Sequence, residues 1–202
     1  EGARAVGVRY VQGGVGREAR ARREVIVSAG GLQSPQLLQL SGIGPADLLQ
    51  SRGIPVVNAL AGVGANLQDH LQARVIYRCT QPITTNDDLR HWHRRMAVGL
   101  KWLLQRRGPL AIGINQGGVF ARVMPDSKTP DVQFHFGTLS ADLAGAKPHD
   151  FPGFTMSVCQ LRPTSRGSVT IKSRDPFEAP AMRPNYLSTE LGCATAVEGV
   201  KL

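Results

Sequence analysis

Apolar and polar residues alternate along several short stretches of this chain, which is the pattern of β-strands with one buried face. Two such stretches, residues 5–11 and 21–29, predict strands on either side of Gln12-Gly13-Gly14, whose glycines indicate a turn. Four more predicted strands lie at residues 73–79, 131–138, 154–161 and 167–172. The pattern therefore predicts several strands, mostly antiparallel.

A helix is predicted directly after the second of these strands. Residues 25–29 run into Gly30-Gly31 and then into an apolar stretch with helical spacing. Ser34 is suited to be the N-cap of this helix, and Pro35 would occupy the first helical position, where its missing N–H costs nothing. Residues 41–45 end the helix with glycine and then proline.

Two further helices follow from the same criteria. Residues 89–105 have helical spacing and end at Arg106-Arg107-Gly108-Pro109, where basic residues followed by glycine and proline form a stop signal. Residues 190–202 place apolar side chains on one side and reach the end of the chain without a cap. Helices mixed with antiparallel strands predict an α+β arrangement beside part of an α/β domain.

The strand, Gly-Gly turn and helix at residues 25–44 suit a ligand site. Small residues let the backbone approach a ligand closely, and a helix N-terminus favours anionic groups such as a pyrophosphate. Many joints between strands and helices look alike, so a purely structural joint is the alternative interpretation. Physical reasoning from this segment leaves both open.

Composition and charge narrow the class of protein. The chain has 202 residues, of which 42% are hydrophobic and 19% charged, as in globular proteins. The net charge of +9 raises the question of nucleic-acid binding. The densest basic run, Arg17–Arg23, contains no aromatic residue for base stacking. Solvated arginines in loops are the better interpretation, and no nucleic-acid partner is predicted.

Cysteines and histidines do not form a metal-binding pattern. The three cysteines are widely spaced and include no C-x-x-C pair. His91 and His93 flank Trp92 near a predicted helix start, where a two-residue spacing should point their side chains apart. No metal site is predicted.

The residues of the helical segment carry a resemblance to a known family. Gly30, Ser34, Pro35, Leu37, Leu38 and residues 41–44 resemble the second sequence motif of the glucose-methanol-choline (GMC) oxidoreductases, FAD enzymes that act on alcohols. Gly31 departs from this motif, since Ala, Ser, Thr or Pro is usual there. The resemblance continues in family order through residues 48–56, 62–70, 118–120, 133–136, 162–167, 175–176 and 184–187.

The resemblance implies a fold of class α/β plus α+β. Part of a Rossmann-like FAD/NAD(P)-binding domain would be joined to a substrate domain with an antiparallel sheet. Residues 1–70 would belong to the FAD-binding domain, residues 71–182 to the substrate-binding domain, and residues 183–202 to the start of the return to the FAD-binding domain. The chain would be an internal fragment, with the dinucleotide fingerprint upstream of Glu1 and the catalytic histidine downstream of Leu202.

The resemblance implies FAD as the cofactor and assigns residues of two segments to it. Ser28, Ala29, Gly30 and Ser34 would approach the dinucleotide at the strand–helix turn. Asn66, Asp69 and His70 belong to a loop that runs near the flavin in the family. For these three, a hydrogen-bonded brace that closes the glycine-rich loop is the alternative role. Arg162, Ser165, Arg166 and Gly167 are interpreted as a structural turn.

No residue of this chain is expected to be catalytic, but two are expected to line the substrate pocket. His135 corresponds to a substrate-contacting histidine of choline-oxidising members, with a structural histidine as the alternative. Asn115 stands where those members carry a glutamate that faces the trimethylammonium group. An amide can hydrogen-bond a neutral hydroxyl, whereas a buried cation needs a counter-charge.

The functional hypothesis is therefore an FAD-dependent enzyme that oxidises a small-molecule primary alcohol to an aldehyde by hydride transfer to flavin. A neutral alcohol is the expected substrate. Choline dehydrogenase proper is one alternative, and a non-catalytic binding module or an inert truncated fragment is another. The electron acceptor, a membrane partner and the choice between a cytoplasmic and a membrane-associated location are left open.

Overall fold

A computed structural model describes residues 2, 4–143 and 145–202. The chain divides into two compact units. The first unit comprises Glu1–Gln68 with Ser165–Tyr186, and the second comprises Asp69–Thr164 with Leu187–Leu202. Both units are therefore built from segments that are far apart in the sequence.

The first unit begins with an antiparallel hairpin of β1 (Gly7–Gln12) and β2 (Val15–Arg20). Gly13 and Gly14 have φ values of 60° and 78° and form the two-residue turn, as the Gly-Gly pair predicts. Positive φ at both central positions suits glycine because it has no Cβ. Strand β1 matches the strand predicted at residues 5–11, whereas β2 precedes the second predicted strand at residues 21–29.

The rest of the first unit consists of short elements around a small core. Helices α1 (Gly30–Leu40) and α2 (Ala46–Ser51) flank two parallel two-residue strands, β3 (Ile43–Gly44) and β4 (Asn58–Ala59). A second antiparallel pair, β9 (Ser168–Thr170) with β10 (Ala181–Arg183), completes the unit. The core is formed by Leu49, Ile54 and Ile171, with Leu40 and Leu48 packed against it.

The second unit is organised by one four-stranded antiparallel sheet in the order β5-β8-β7-β6. Its strands are β5 (Gln72–Arg78), β6 (Asn115–Ala121), β7 (Val132–Gly137) and β8 (Gly153–Gln160). The predicted strands at 73–79, 131–138 and 154–161 are confirmed within a residue or two at each end. Strand β6 was not predicted, because its two glycines weaken the strand pattern.

Three helices accompany this sheet. Helices α3 (Thr85–Arg90) and α4 (Trp92–Gln105) replace the single helix predicted over 89–105. The break falls at His91, whose ψ of 124° is extended. The predicted stop is confirmed, since Arg106 has a left-handed φ of 54° and its N–H donates to the Trp102 carbonyl oxygen. A 3₁₀ turn at Pro109–Ala111 follows.

The last helix, α5 (Glu190–Lys201), packs against β8. Thr189 caps its N-terminus by accepting a hydrogen bond from the Gly192 N–H at 3.1 Å. A Cβ on Gly199 would lie 3.1 Å from a methyl group of Val158 and 3.3 Å from one of Val132. The absence of a side chain at Gly199 therefore allows the close approach of α5 to the sheet.

Two local expectations are wrong. Residues 24–28 form no strand, because among the described residues no strand pairs with them, and Ile26 remains 78% exposed. Helix α1 begins at Gly30, five residues earlier than predicted, so its N-cap is Ala29 and Pro35 lies inside the helix. Ser34 lies in the second turn of the helix, and its hydroxyl accepts a hydrogen bond from the N–H of Ala29.

The compact units also differ from the expected domain boundaries. Residues 165–182 were assigned to the substrate domain but pack in the first unit, where the Val169 N–H donates to the Gly64 carbonyl oxygen at 2.7 Å. Residues 187–202 were assigned to the return to the FAD-binding domain but pack in the second unit, through α5 against β8. The functional assignment of the domains remains a prediction.

Candidate functional site

The first candidate site lies at the N-terminus of α1 in the first unit. Gly30 has a φ of 83°, and a Cβ at this position would meet no atom within 4 Å. Ser28 and Ala29 are exposed, and the Ala29 N–H donates to the Ser34 hydroxyl at 2.9 Å. The four residues predicted to approach a dinucleotide are thus brought together at one exposed turn.

The loop that contains Gly62 and Gly64 packs against this helix in the same unit. Gly64 has a φ of 84°, and a Cβ there would lie 2.1 Å from the Val169 carbonyl oxygen. The same Cβ would lie 2.5 Å from the Gln39 amide nitrogen. Only glycine fits, because any side chain would collide with backbone as well as requiring a left-handed conformation.

Gln39 holds α1, this loop and β9 together. Its amide nitrogen donates to the carbonyl oxygens of Val63 and Val169 at 3.2 and 3.0 Å. Its amide oxygen accepts from the Ile171 N–H at 2.9 Å. The side chain is fully buried, so these three bonds satisfy polar atoms that have no access to water. The sequence did not reveal Gln39, because a glutamine in a helix is usually exposed.

A cavity of about 230 Å³ opens between α1 and the loop. Its lining includes Gly31, Ser34 and Pro35 from the helix and Gly64 and Ala65 from the loop. Most of the lining surface is apolar. The first turn of α1 and the glycine-rich loop therefore share one concave surface.

The three loop residues predicted near the flavin are assigned to different compact units. Asn66 is exposed in the first unit, with a left-handed φ of 58° that asparagine tolerates better than most residues. Asp69 and His70 belong to the second unit. The His70 Nε2 atom lies 3.0 Å from the Leu161 carbonyl oxygen, so this imidazole braces the segment that enters β5. That contact is of the kind expected for the bracing role, and the cofactor role of His70 stays a prediction.

The second candidate site is one face of the four-stranded sheet in the second unit. His135 on β7 lies opposite Gly118 of β6 on one side and Ser157 of β8 on the other. Residues directly opposite in an antiparallel pair point to the same face. Since Gly118 has no side chain, the sheet surface on that side of His135 is open.

Asn115 shares this face with His135. It pairs with Gly137, which is two residues from His135, and residues two apart on a strand point to the same side. The Asn115 amide oxygen would lie 3.3 Å from a Cβ on Gly137, so the amide fills the space above that glycine. A bulge between Asn115 and Gly117 sets Gln116 aside, and its amide donates to the Thr138 hydroxyl at 3.0 Å. The two residues predicted to line one pocket are therefore placed on one surface.

The composition of this face bears on which groups it can bind. The registers place the following side chains on it: Gln72, Arg74, Ile76, Arg78, Asn115, Phe120, Gln133, His135, Thr155, Ser157 and Cys159. No strand residue on this face is acidic. Burial raises the pKa of the Cys159 thiol, which stays protonated at neutral pH. The face offers neutral hydrogen-bonding groups and cations, and no carboxylate to neutralise a bound cation.

A polar network, buried at Ser140 and Asn86 and exposed at Asp142, holds the loop that follows β7. His149 contacts the Ser140 hydroxyl through Nδ1 at 3.1 Å and the Asp142 carboxylate through Nε2 at 3.0 Å. This order resembles a nucleophile–base–acid chain. Ser140 is completely buried and also accepts a hydrogen bond from Asn86, so its hydroxyl is inaccessible to a substrate. The network therefore fixes the loop.

Other ionisable groups are structural as well. Desolvation would raise the pKa of Asp131, but hydrogen bonds from the N–H groups of Val123 and Met124 and from Ser127 outweigh it and lower the pKa. The rings of His91 and His93 stack with centroids 5.5 Å apart, contrary to the expectation that they diverge, because His91 lies between two helices. Within the described residues, no group of three or more His, Cys, Asp or Glu side chains is arranged to hold a metal ion.

Comparison with known families and proteins gives consistent matches. Residues 1–72 match the N-terminal model and residues 163–202 the C-terminal model of the GMC oxidoreductase family. An oxygen-dependent choline dehydrogenase of Pseudomonas fluorescens is 43% identical over 204 residues and covers 100% of this chain. A second, from Pseudomonas putida, is 41% identical over the same length. The chain spans 36% of the length of each of these relatives.

Solved structures give the same result at the level of the fold. A formate oxidase of Aspergillus oryzae, studied for modification of its FAD, superposes with a TM-score of 0.87 at 28% identity. The match covers 99% of this chain and 40% of that protein. An FAD-dependent oxidoreductase of Chaetomium thermophilum superposes with a TM-score of 0.79 at 23% identity, over 100% of this chain and 41% of its own.

Proposed function

This chain belongs to the GMC oxidoreductase family, and on that basis we propose that the protein containing it is an FAD-dependent oxidoreductase that converts a primary alcohol to an aldehyde. The proposal concerns the longer protein, because the chain spans little more than a third of its curated relatives. The family-ordered segments in both units are the observation that carries it.

The residues at the start of α1 fit the dinucleotide part of FAD. The turn at Ser28, Ala29 and Gly30 is exposed, and the space above Gly30 is open, so a ligand can approach the backbone there. The N–H groups at the start of an 11-residue helix favour an anionic pyrophosphate. When bound, FAD supplies the acceptor for the hydride that leaves the alcohol carbon. Asn66 is the residue of the glycine-rich loop that we assign to the same ligand.

His135 and Asn115 would bind and orient the alcohol. Both lie on the polar face of the sheet, and Gly118 leaves room beside the imidazole. The Asn115 amide can donate to or accept from a hydroxyl, and the imidazole can do the same according to its tautomer. Holding the hydroxyl in one orientation contributes to the rate by reducing the entropy lost on reaching the transition state. We assign the proton-accepting base to no residue of this chain.

The absence of an acid on this face is the observation that favours a neutral alcohol as substrate. A quaternary ammonium group buried without a counter-charge would lose its hydration without compensation, at a cost of roughly 3–5 kcal/mol. Neutral hydroxyl groups carry no such penalty. Asn115 would therefore distinguish this protein from choline-oxidising members, which carry a carboxylate at that place.

Choline oxidation is the second candidate function, and the identity of 41–43% to choline dehydrogenases is the observation that favours it. Steady-state kinetics of the full-length protein on choline and on neutral alcohols of similar size separates the two. A higher kcat/KM for the neutral alcohols, with a gain of choline turnover in Asn115→Glu, supports the first candidate. A clear preference of the wild type for choline refutes it and leaves the oxidoreductase assignment intact.

The cofactor assignment has its own test. Replacing Gly30 with valine in the full-length protein should reduce the flavin that copurifies, because a β-branched residue resists positive φ and fills the space above the turn. Arg17→Ala, in the β1–β2 hairpin, is the control and should retain flavin. Equal flavin content in both variants would place the cofactor elsewhere. A full-length protein that binds no flavin would refute the enzyme and favour a binding module.

A further inference from the structure

The segment that follows β7 crosses the polar face of the sheet. The Leu139 carbonyl oxygen accepts a hydrogen bond from the Thr155 hydroxyl on β8 at 2.8 Å. The carbonyl oxygens of Ala141 and of the residue after it accept from the Arg74 guanidinium on β5, at 3.1 and 3.3 Å. In the sheet order β8 lies next to β7, and β5 lies beyond β8. Residues 138–142, which we call the crossing segment, therefore pass over two neighbouring strands.

The two side chains that hold the crossing segment from the sheet lie on the same face as His135. Arg74 pairs with Ser157 of β8, and Ser157 pairs with His135 of β7, so these three residues form one row across the strands. Thr155 is two residues from Ser157 on the same strand and therefore points to the same side. Since neighbouring strands are about 4.8 Å apart, β5 lies roughly 10 Å from β7 in this row. The crossing segment is thus anchored on the face that is predicted to receive the alcohol.

The crossing segment begins next to Asn115. Asn115 pairs with Gly137, the last residue of β7, and the segment starts at the following position. The Gln116 amide donates to the Thr138 hydroxyl at 3.0 Å, which ties the start of the segment to β6. The crossing segment therefore forms a boundary at that end of the face, close to both residues that we assign to the alcohol.

Helix α3 holds the same segment at a second point. The Asn86 amide nitrogen donates to the Ser140 carbonyl oxygen at 3.1 Å, and the Asn86 amide oxygen accepts from the Ser140 N–H at 2.9 Å. Ser140 is completely buried, and Ala141 is only 3% exposed. The middle of the crossing segment is therefore fixed by α3, whereas its far end depends on the two bonds from Arg74.

We propose that Arg74 is a positioning residue that holds the crossing segment over the sheet, and that this segment limits the length of the alcohol that fits beside His135. A guanidinium suits this role, because its rigid, planar set of N–H donors can bond two adjacent carbonyl oxygens at once. Without those bonds the far end of the segment is free to move away from the sheet, which lengthens the space beside the imidazole. The inference rests on the proposed function, because it requires the alcohol to bind on this face.

Turnover of a homologous series of alcohols by the full-length protein tests the proposal. The series is built on the alcohol that the wild type oxidises best, with its chain lengthened one methylene group at a time. In Arg74→Ala, kcat/KM for the first alcohol that the wild type rejects should rise roughly tenfold relative to the best alcohol, as expected when about two more methylene groups are buried. The gain should come from a lower KM, and kcat for the best alcohol should change less than about threefold.

Matched variants separate this role from a general loss of stability. Arg122→Ala is the control, because it removes an arginine that donates to the Ser127 carbonyl oxygen at 3.3 Å in the loop between β6 and β7. It should keep the wild-type length profile. Arg74→Lys should lie between the wild type and Arg74→Ala, since an ammonium group replaces part of the donation. Thr155→Val, which removes the bond to the Leu139 carbonyl oxygen, should shift the profile in the same direction by a smaller amount.

Hydrogen exchange of the flavin-loaded protein gives a second readout. Amide exchange in the crossing segment should be faster in Arg74→Ala than in the wild type or in Arg122→Ala. An unchanged length profile or unchanged exchange in folded Arg74→Ala would overturn the inference and leave the proposed function intact. The same shift in Arg122→Ala, or an equal loss of kcat/KM for every alcohol, would also overturn it. A flavin-loaded wild type that oxidises no alcohol would refute the proposed function, and this inference with it.

Discussion

The two units of this chain reach a stable structure in different ways. The first contains three separate two-stranded sheets, and its pieces are joined by individual bonds such as those of Gln39. The second contains one continuous four-stranded sheet, and its stability is distributed over 19 paired positions. A structure that depends on a few specific contacts is sensitive to single substitutions. A continuous antiparallel sheet distributes the effect of each change.

The largest effect is expected at Gly64 in the first unit. Gly64→Ala should lower the free energy of unfolding by about 3–5 kcal/mol, because the new Cβ meets the Val169 carbonyl oxygen at 2.1 Å in a left-handed conformation. Gly62→Ala is the control in the same loop, since a Cβ there meets nothing within 4 Å. Chemical unfolding of the full-length protein measures both. Similar stability of the two variants would contradict the tight packing of this loop.

Gln39→Ala should have the next largest effect. It removes three hydrogen bonds to backbone groups, two of them buried, at a cost of about 2–4 kcal/mol in the free energy of unfolding. Gln33→Ala, at an exposed position of the same helix, should cost little. If the two glutamines proved equivalent in a thermal unfolding experiment, the first unit would not depend on specific polar contacts.

A smaller, pH-dependent effect is expected at Asp131 in the second unit. Its carboxylate accepts hydrogen bonds from the N–H groups of Val123 and Met124 at 2.8 and 3.0 Å. Asp131→Asn should cost about 1–2 kcal/mol at neutral pH, after allowance for partial solvent screening. Since the folded pKa is lowered, the contribution is complete above the ordinary value of 3.8 and is lost as the pH falls below it.

Unfolding curves of Asp131→Asn and wild type should therefore converge in acid. The exposed Asp126 provides the control, and Asp126→Asn should follow the wild type at every pH. A stability difference for Asp131→Asn that persisted well below the ordinary pKa would mean that the carboxylate acts through packing and not through charge.

The smallest effect is expected at the Arg9–Glu18 ion pair of the β1–β2 hairpin. The two side chains are 3.7 Å apart and largely exposed. Arg9→Gln should change the free energy of unfolding by less than about 0.5 kcal/mol, and the difference should vanish at high salt. A loss larger than that of Asp131→Asn would reverse the order expected for exposed and partly buried charges.

The sequence predicted the elements that follow one simple period. Strands β5, β7 and β8 were found because their two faces differ in polarity, and α5 was found from its apolar spacing. Strand β6 was missed because Gly117 and Gly118 remove the side chains that mark a strand. The strand expected at 21–29 is absent because strand formation needs a neighbour as well as a suitable sequence.

The candidate site was predictable only where a motif marked it. Ser28, Ala29, Gly30 and Ser34 were assigned to the cofactor through the resemblance, and that assignment stays a prediction. Ser34 was given the wrong position in the helix, because a cap depends on where the helix starts. Gln39 and the Ser140–His149 network were missed because their partners lie far away in sequence and no local pattern signals them. Whether His135 and Asn115 contact a substrate stays a prediction.

The hydrogen bonds of Gln39 to residues near the end of the chain have a consequence for folding during translation. Its partner Ile171 is synthesised 132 residues later. At 5–20 residues per second, roughly 7–26 seconds separate the two during translation. Throughout that interval α1 lacks β9 and the Leu49 core lacks Ile171, while the whole four-stranded sheet is synthesised. A nascent chain stalled before Ile171 should therefore expose the first unit to chaperones and proteases.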